Sequence, residues 1–327
     1  PEEGVVISGF VRSSQQLRRL GLKNNSLGDE GIDAIFSAAS ENTLATVEAL
    51  DFGFNGVTST GASCIADRLE TLRSITSLDL GGNDIGDSGM TVIGDTLLKH
   101  SGHCQLQFLT CDAFALGEGV TELNLVSTGV NLPAMMMLSG ALKFNRTLKV
   151  LKLGNNPAVS DEGCEVLTVA LTANQSSVVS SMDLSGCAIG FVGAEALARM
   201  LGSMESGGYG CVEHLGLSNN LLCGVNQHGR GTFTPKGVKA LMKTLSAESS
   251  SCTSLDISYN HLSGDWPHKH GGAAQAIAAA LRTAPLKHLW LAHNAIGDDG
   301  IELIANAARE RVRGDGVAES SLVTLAV

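Results

Sequence analysis

A template of six positions returns along this chain at intervals of 28 to 45 residues. The clearest copy is residues 78–89, where two leucines two residues apart are followed by Asn83, Ile85 and Gly89 in the stretch L-D-L-G-G-N-D-I-G-D-S-G. Nine copies can be aligned, and the residues at the asparagine position are Asn25, Asn55, Asn83, Thr128, Asn156, Cys187, Asn220, Asn260 and Asn294. Such repetition indicates a stack of similar units, each packing only against its neighbours. One stack that uses all 327 residues is therefore favoured over two ordinary domains.

Within each copy the pattern changes from a period of two to a period near four. Counting the first apolar residue as position 1, positions 4 and 6 alternate as in a short strand, and the asparagine is position 9. Ile35 and Ala39, four and eight residues after Gly31, illustrate the apolar spacing that indicates one face of a helix. Asp29 and Asp161 stand near the expected helix starts, as does Asp298, so we predict that these carboxylates cap the helices that they begin. Each repeat is thus a strand, a turn and a helix.

This template resembles the leucine-rich repeat family, and in particular its long, ribonuclease-inhibitor-like subfamily. The resemblance covers essentially the whole chain and implies an α/β horseshoe, with parallel strands on the concave face and helices on the convex face. The spacings agree, because strands sit about 4.8 Å apart whereas helices with side chains need about 10 Å. We predict a single domain of residues 1–327, with about nine full repeats and a partial repeat at each end. Because the chain starts with Pro1 rather than Met, we expect a processed chain or an excerpt.

The asparagines at position 9 should form a ladder, because an amide can both donate to and accept from the backbone where a strand ends. Cysteine is a family alternative at this position, whereas Thr128 predicts a weak point. An insertion of irregular length lies between Leu98 and Val120. Leu106, Leu109 and Cys111 within it fit either a compressed extra repeat or a packed loop.

Composition excludes several classes of function. Lys and Arg number 22 against 33 Asp and Glu, and the net charge of −11 argues against a partner that is a nucleic-acid backbone. No apolar stretch approaches the roughly 18–20 residues that cross a bilayer, so membrane insertion is not expected. The eight cysteines include no C-x-x-C pair and are interpreted as reduced, mostly buried thiols. They favour the cytoplasm or another reducing compartment, with an organelle interior after processing left open.

No catalytic constellation is present, and we predict a protein that is not an enzyme and holds no cofactor or metal. Residues 224–231, G-V-N-Q-H-G-R-G, lack the lysine and hydroxyl of a phosphate-binding loop. The His268-Lys269-His270 run fits an exposed basic loop better than a metal site. Two alternatives to an interaction module come from similar families: the sensor repeats of a NOD-like receptor, and a GTPase-activating protein of the Ran type. For the latter, Arg18 and Arg19 could not be matched to a catalytic motif.

The least generic part of the chain is its C-terminal third, where the scarce aromatic residues gather. Trp290 and His288 fall on the predicted concave face, while Tyr259 and His293 stand at position 8, beside the strand ends. Two long loops, residues 223–236 and 263–272, should leave the same edge side by side. We predict a protein partner at this corner, with contact residues Trp290, Tyr259, His288, His293, Trp266, His268, Phe233 and Arg230. The alternative is that the loops fold over Trp290 and only pack locally.

Overall fold

The computed structural model describes residues 2–41, 47–99, 105–205, 212–226, 228, 230–247, 250–262, 272–314 and 322–327. The described helices are α1 (Glu2–Ser13), α2 (Gly28–Glu41), α3 (Ser59–Leu69), α4 (Gly86–Lys99), α5 (Leu132–Leu142), α6 (Ser160–Ala173), α7 (Phe191–Glu205), α8 (Lys236–Leu245), α9 (Gly272–Leu281) and α10 (Gly297–Gly314). The described strands are β1 (Arg19–Gly21), β2 (Ala49–Asp51), β3 (Ser77–Asp79), β4 (Phe108–Cys111), β5 (Phe114–Leu116), β6 (Glu122–Asn124), β7 (Val150–Lys152), β8 (Ser181–Asp183), β9 (His214–Gly216), β10 (Ser254–Asp256), β11 (His288–Trp290) and β12 (Thr324–Ala326).

The contacts divide the chain into two compact units. The first comprises Pro1–Leu123 and Leu132–Thr147, and the second comprises Asn124–Asn131 and Leu148–Val327. In the first unit β1 to β5 form one sheet in chain order, and the strands from β6 to β12 form a second sheet, also in chain order. The predicted α/β class with parallel repeat strands holds in each sheet, while the single domain of residues 1–327 and its horseshoe shape stay predictions.

The repeat register is set by the apolar residue at position 4. Leu50 on β2 is the partner of Leu78 on β3, and Leu255 on β10 is the partner of Leu289 on β11. Side chains at position 4 are buried, whereas those at positions 3 and 5 are half-buried in most repeat strands. Since alternate residues of a strand point to opposite faces, positions 3, 5 and 7 line one face of each sheet, which we call the open face.

The insertion after α4 contains the extra strand that one of the two interpretations required. Leu109 on β4 pairs in parallel register with Leu78, and Leu106, Leu109 and Cys111 are buried like other repeat positions. Strand β5 then runs antiparallel to β4, with Phe114 opposite Cys111. The segment is therefore a compressed repeat, in which a hairpin follows the strand where other repeats form a helix.

The predicted asparagine ladder is present. The Asn55 amide nitrogen donates to Leu22 O (2.8 Å) in the preceding repeat and to Phe52 O (3.0 Å) in its own, while Oδ1 accepts from Asn25 N (3.1 Å). The amides of the later ladder residues bridge repeats in the same way: Asn83, Asn156, Asn220, Asn260 and Asn294. All six of these side chains are buried, so each amide satisfies backbone groups that water cannot reach.

Cys187 and Thr128, which replace asparagine in the ladder, differ in the hydrogen bonds that they form. The Cys187 thiol still donates to Leu153 O (3.2 Å) of the preceding repeat. The hydroxyl of Thr128 instead donates to Leu125 O (2.9 Å) within its own repeat. Residues 124–131, which include Thr128, are also where the division between the two units cuts across the repeat.

The prediction that acidic residues cap their own helices was wrong for Asp29 and Asp161. The Asp29 carboxylate, in the first turn of α2, accepts from Thr58 N (2.7 Å) and Thr58 Oγ1 (2.6 Å), and Thr58 is the N-cap of α3. Asp161, in the first turn of α6, accepts from Gly190 N (2.6 Å) and Gly193 N (2.8 Å) at the start of α7. Each carboxylate thus caps the helix of the next repeat, since stacking brings that helix start within reach.

Candidate protein-binding surface

Trp290 is the residue around which the predicted surface is built. It lies at position 5 of β11, with Asp256 of β10 on one side and Ala326 of β12 on the other. Leu289 and Leu291 flank it and are almost fully buried, so they anchor the strand in the core. The indole itself is half-buried and belongs to the open face of the second unit.

His288 is positioned beside this indole by the same strand. Residues two apart on a strand share a face, and the two rings stack at 5.7 Å between centroids with an interplanar angle of 17°. Across the sheet, Nδ1 of His288 lies 3.1 Å from Oγ1 of Thr324, its register partner on β12. The imidazole therefore has a neighbour on each side and forms a fixed platform with Trp290.

A second stacked pair stands where β10 and β11 end. The rings of Tyr259 and His293 lie 4.2 Å apart between centroids and within 15° of parallel. Tyr259 N donates to Ala292 O (2.9 Å), which ties the two strand ends together. Tyr259 keeps 49% of its surface exposed, and His293 is also exposed, so the pair projects from the protein rather than filling its core.

Both residues of that pair have left-handed backbone conformations, with φ of 57° at Tyr259 and 59° at His293. This is a property of position 8 throughout the repeats, and the residues concerned are Asn24, Phe54, Gly82, Ser127, Asn155, Gly186, Asn219, Tyr259 and His293. The sequence reasoning missed it, although the glycine and asparagine residues at position 8 were its signal. An aromatic ring in this conformation costs free energy, of the order of 1–2 kcal/mol.

The described residues of the loop 223–236, which exclude residues 227 and 229, are arranged as a small hairpin. Val225 and Gly231 form an antiparallel bridge, and Oδ1 of Asn226 accepts from His228 N and Arg230 N, both at 3.0 Å. A side chain at Gly231, where φ is 129°, would collide with the backbone oxygen of Gly224. The backbone N–H groups of residues 228 and 230 are thus already bonded to the Asn226 side chain.

The structure brings four of the eight predicted contact residues into two stacked pairs. Phe233 is half-buried and Arg230 exposed within the hairpin that follows β9, and the contacts described for the hairpin are internal to it. Trp266 and His268 lie outside the described residues, as does most of the loop 263–272. The indole of Trp290 is half-buried by the residues described. That this surface is an interface, rather than a place where the loops only pack locally, stays a prediction.

Acidic residues at position 5 have a local backbone role. Asp51 and Asp79 each accept from the backbone N–H two residues ahead, at 3.0 Å and 2.8 Å, and Asp183 and Asp256 do the same at 3.0 Å and 2.9 Å. Each bond uses Oδ1 and fixes the carboxylate near the end of its strand. The recurrence of aspartate at this position is therefore partly structural, because its carboxylate accepts a hydrogen bond from a backbone N–H just after the strand ends.

The first unit also carries an exposed aromatic residue at position 8. Phe54 is 55% exposed, and its ring lies against Gly82, where an added Cβ would be 2.5 Å from the ring. The Lys23 ammonium lies 5.3 Å from the centroid of the same ring.

The two arginines near the first strand form ion pairs. Arg18 pairs with Glu48, and Arg19 reaches Glu118 at 3.2 Å. Both arginines of the GTPase-activation hypothesis are thus engaged by carboxylates.

The described cysteines are free thiols, and most are buried: Cys64, Cys111, Cys164, Cys187, Cys223 and Cys252. Burial raises the pKa of Cys111 and Cys187 to about 11 and that of Cys223 to about 12, and it raises the pKa of Cys164 still further. Thiols held neutral in this way are unreactive. In the part of the chain that the structure describes, no group of three or more His, Cys, Asp or Glu is arranged to hold a metal ion.

Six stretches of the chain match the family model described as Leucine Rich repeat: residues 13–36, 43–66, 71–94, 144–167, 175–198 and 284–305. These stretches contain six of the nine ladder positions, namely Asn25, Asn55, Asn83, Asn156, Cys187 and Asn294.

The chain is a leucine-rich repeat protein.

Two curated relatives of this leucine-rich repeat protein have names that include leucine-rich repeats, abbreviated LRR. Mouse "NACHT, LRR and PYD domains-containing protein 14" is 27% identical over 196 residues, which is 58% of this chain and 16% of the relative. Human "NACHT, LRR and PYD domains-containing protein 5" is 27% identical over 203 residues, which is 62% of this chain and 15% of the relative. The chain thus spans about a sixth of the length of the relatives that it matches.

Among solved structures, the leucine-rich repeat-containing protein LegL7 from Legionella pneumophila is 20% identical, with a TM-score of 0.35, and the match covers 92% of this chain and 82% of that one. None of the described helices of this leucine-rich repeat protein has both the length and the apolar character that a membrane span requires. The repeats place the protein among interaction modules, and the ribonuclease-inhibitor-like subtype remains the prediction made from sequence.

Proposed function

We propose that this leucine-rich repeat protein is a non-enzymatic module that binds another protein, or organises an assembly, through the aromatic corner of its second unit. The corner consists of the two stacked pairs, Trp290 with His288 and Tyr259 with His293. The hairpin around Arg230 and Phe233 and the loop 263–272 with Trp266 and His268 are proposed to complete it.

The observation that carries the proposal is the exposed Tyr259–His293 stack. Both residues hold a left-handed backbone that disfavours side chains, yet both carry large rings that remain outside the core. Phe54 has a similar backbone and exposure in the first unit, so it is the stacking of two exposed rings that distinguishes this corner and supports a role in binding. Tyrosine and tryptophan are also the side chains that most often dominate protein interfaces.

A fixed geometry supports the same role. His288 is held between Trp290 and Thr324, and Tyr259 is tied to the end of the neighbouring strand through Ala292 O. Side chains that are already ordered lose little conformational entropy when a partner binds. The side chains of the corner are thus ordered before a partner binds.

A second candidate function is suggested by the curated relatives. Both carry NACHT and PYD domains beside their repeats, as their names state, and the match with this chain covers 16% and 15% of their lengths. We propose that the chain could serve as the sensor repeats of a receptor of this kind. Sequencing the full-length transcript tests this candidate: an encoded P-loop module would support it, and a transcript without one would contradict it.

The remaining alternatives receive less support. The matching family model describes a repeat and names no catalytic activity. For GTPase activation of the Ran type, both Arg18 and Arg19 are paired with carboxylates in the described structure. A single-turnover assay with Ran and this chain tests that reading, and an accelerated hydrolysis would revive it. The free, buried thiols support our proposal of a reducing compartment such as the cytoplasm.

The proposed function is tested by comparative affinity purification of the endogenous protein and its variants. Trp290→Ala should weaken capture of the main copurifying protein by about 2 kcal/mol, or about thirtyfold. Tyr259→Ala should weaken it as well. The matched control is Phe54→Ala, which removes an exposed aromatic residue from the same repeat position in the first unit. Equal capture by wild type and both corner variants would refute the proposal.

A further inference from the structure

We propose that the surface around Trp290 recognises an arginine side chain in a basic segment of the partner, with the guanidinium stacked on the indole and paired with Asp256. This inference rests on the proposed function and adds the chemistry of the group that is bound. It follows from an aromatic ring and an unpaired carboxylate being neighbours on the open face.

The first step is the register of β10 and β11. Asp256 and Trp290 are direct partners in the parallel pair, so their side chains leave the same face from strands about 4.8 Å apart. Tryptophan attracts cations to its ring face more strongly than other aromatic residues do. His288 stacks on one side of the indole, so the cation we propose would lie against the other side, with Asp256 on the neighbouring strand. Both side chains are half-buried, and partial exclusion of water strengthens such contacts.

The second step is that this carboxylate is oriented but not neutralised. Asp256 Oδ1 accepts from Ser258 N at 2.9 Å, which fixes the group at the strand end. Among the residues described, no lysine, arginine or histidine forms an ion pair with Asp256, whereas Glu48 and Glu118 of the first unit have arginine partners. Asp183 has Lys152 as its register partner on β7, so Asp256, between Gly216 and Trp290, is the carboxylate of this pair with no basic residue in register.

The third step is space for a ligand beside Asp256. Its register partner on the other side is Gly216, and the neighbouring position 7 residues, Ser258 and Ala292, are small. An added Cβ at Gly216 would lie 3.0 Å from Asp183 Oδ1, so the Asp183 carboxylate lies over this glycine on the side of Asp256 away from Trp290. The residues that border Asp256 at these positions are thus small, and none of them covers it with a bulky side chain.

The spacing of the two carboxylates suggests a pattern in the partner. Asp183 and Asp256 lie two strands apart, or about 10 Å. In a polyproline II segment, residues three apart project from the same side and are separated by about 9 Å. A segment with basic residues at i and i+3 would therefore reach both carboxylates. Arginine fits better than lysine, since its flat guanidinium both stacks and forms paired hydrogen bonds.

The net charge of −11 favours the approach of such a segment. An acidic peptide or a nucleic-acid backbone would instead be repelled by the two carboxylates. The recognition we infer is thus of a basic, arginine-bearing peptide.

The test uses the whole chain and a fluorescein-labelled proline-rich peptide that carries two arginines three residues apart, so that the probe adopts the polyproline II conformation. Fluorescence anisotropy in about 50 mM salt measures binding of this probe and of two matched peptides, one with lysine and one with neutral citrulline in place of arginine. We expect lysine to weaken binding several-fold and citrulline to weaken it about tenfold or more. Equal binding of the citrulline peptide, or no binding of the arginine peptide, would overturn the inference.

Protein variants locate the site. Asp256→Asn keeps an oxygen for Ser258 N but removes the charge, and it should weaken the arginine peptide about tenfold. Asp79→Asn is the matched control, because it removes one charge and keeps the equivalent bond to Gly81 N without an aromatic neighbour in register. An Asp256→Asn variant that binds like Asp79→Asn would contradict the inference. If Trp290→Ala still abolishes partner capture in that case, the proposed function stands and only the arginine chemistry fails.

Discussion

The ring of Tyr259 lies parallel to the imidazole of His293, with 4.2 Å between the centroids, although the two residues are separated by a complete repeat. Both occupy position 8, where each repeat takes a left-handed backbone. The stack is therefore a contact between two adjacent repeats that is exposed to solvent. It is formed by two residues whose backbones are strained.

Replacing Tyr259 separates strain from binding. At φ of 57°, glycine is the residue with no steric penalty. The free energy of unfolding of Tyr259→Gly should therefore equal that of Tyr259→Ala or exceed it by up to about 1 kcal/mol. Both variants should lose partner capture, because both lose the ring. Urea denaturation measures the stabilities. A glycine variant less stable than the alanine variant would show that the left-handed backbone is not a source of strain.

The asparagine ladder predicts a large loss of stability for Asn55→Ala. The side chain is 1% exposed, and its removal leaves Asn25 N and Leu27 N without their partner and takes one of two donors from Leu22 O. We expect a loss of about 3–5 kcal/mol in the free energy of unfolding, since these backbone groups lose hydrogen bonds together and a cavity is left in the buried ladder.

The matched variant for this prediction is Asn25→Ala. Its exposed amide donates within its own repeat, to Leu22 O and Lys23 O, and the change should cost about 1 kcal/mol or less. Chemical denaturation followed by circular dichroism gives both values. Similar losses for the two variants would argue against the bridging role of Asn55.

The cap that Asp29 provides to α3 predicts coupling with Gly61. A Cβ at Gly61 would meet Asp29 Oδ1 and would lie 2.7 Å from Val57 Cγ1, so Gly61→Ala should destabilise the protein by about 1–3 kcal/mol. In an Asp29→Ala background part of that clash is absent, and the cost of Gly61→Ala should fall by about 1 kcal/mol. A double-mutant cycle measures this difference.

Gly9→Ala serves as the control for that cycle. An added Cβ at Gly9 has no atom within 4 Å, so this change in α1 should be neutral or should stabilise the helix by about 0.5–1 kcal/mol. Strict additivity of the Asp29 and Gly61 substitutions would mean that the carboxylate does not occupy the space the glycine leaves.

Alkaline pH should lower stability through the buried cysteines. Burial raises the folded-state pKa of Cys111 to about 11 and that of Cys223 to about 12, from an ordinary value of 9.0. Above the ordinary value the unfolded chain has lost these protons while the folded chain retains them. The stabilisation is thus complete below about pH 9 and is lost as pH rises towards the folded-state pKa.

Urea denaturation near pH 8 and near pH 10 measures this loss. Cys223→Ala should reduce the difference between the two conditions, because one thiol no longer contributes. Other titrating groups are the same in both proteins and cancel. An unchanged difference in the variant would show that Cys223 does not contribute to the alkaline loss.

Much of the candidate site could be predicted from sequence, because the repeat assigns each residue to a position. The template placed Trp290 and His288 on the open face and put Tyr259 and His293 at the strand ends. It did not predict the left-handed backbone at position 8, the Thr324 contact of His288 or the antiparallel bridge between Val225 and Gly231. These depend on backbone conformation and on contacts between strands, for which the template carries no direct signal.

The sequence by itself determined the strand and helix of each repeat and the buried ladder, since these follow from short-range apolar spacing and from the chemistry of an asparagine amide. Only the tertiary structure decided which helix Asp29 caps, that β5 turns back against β4, and that Tyr259 meets His293. Helix capping and ring stacking of this kind join residues about one repeat apart, whose distance is fixed by how the repeats stack. The β5 hairpin is a local alternative to a helix, which the apolar pattern left undecided.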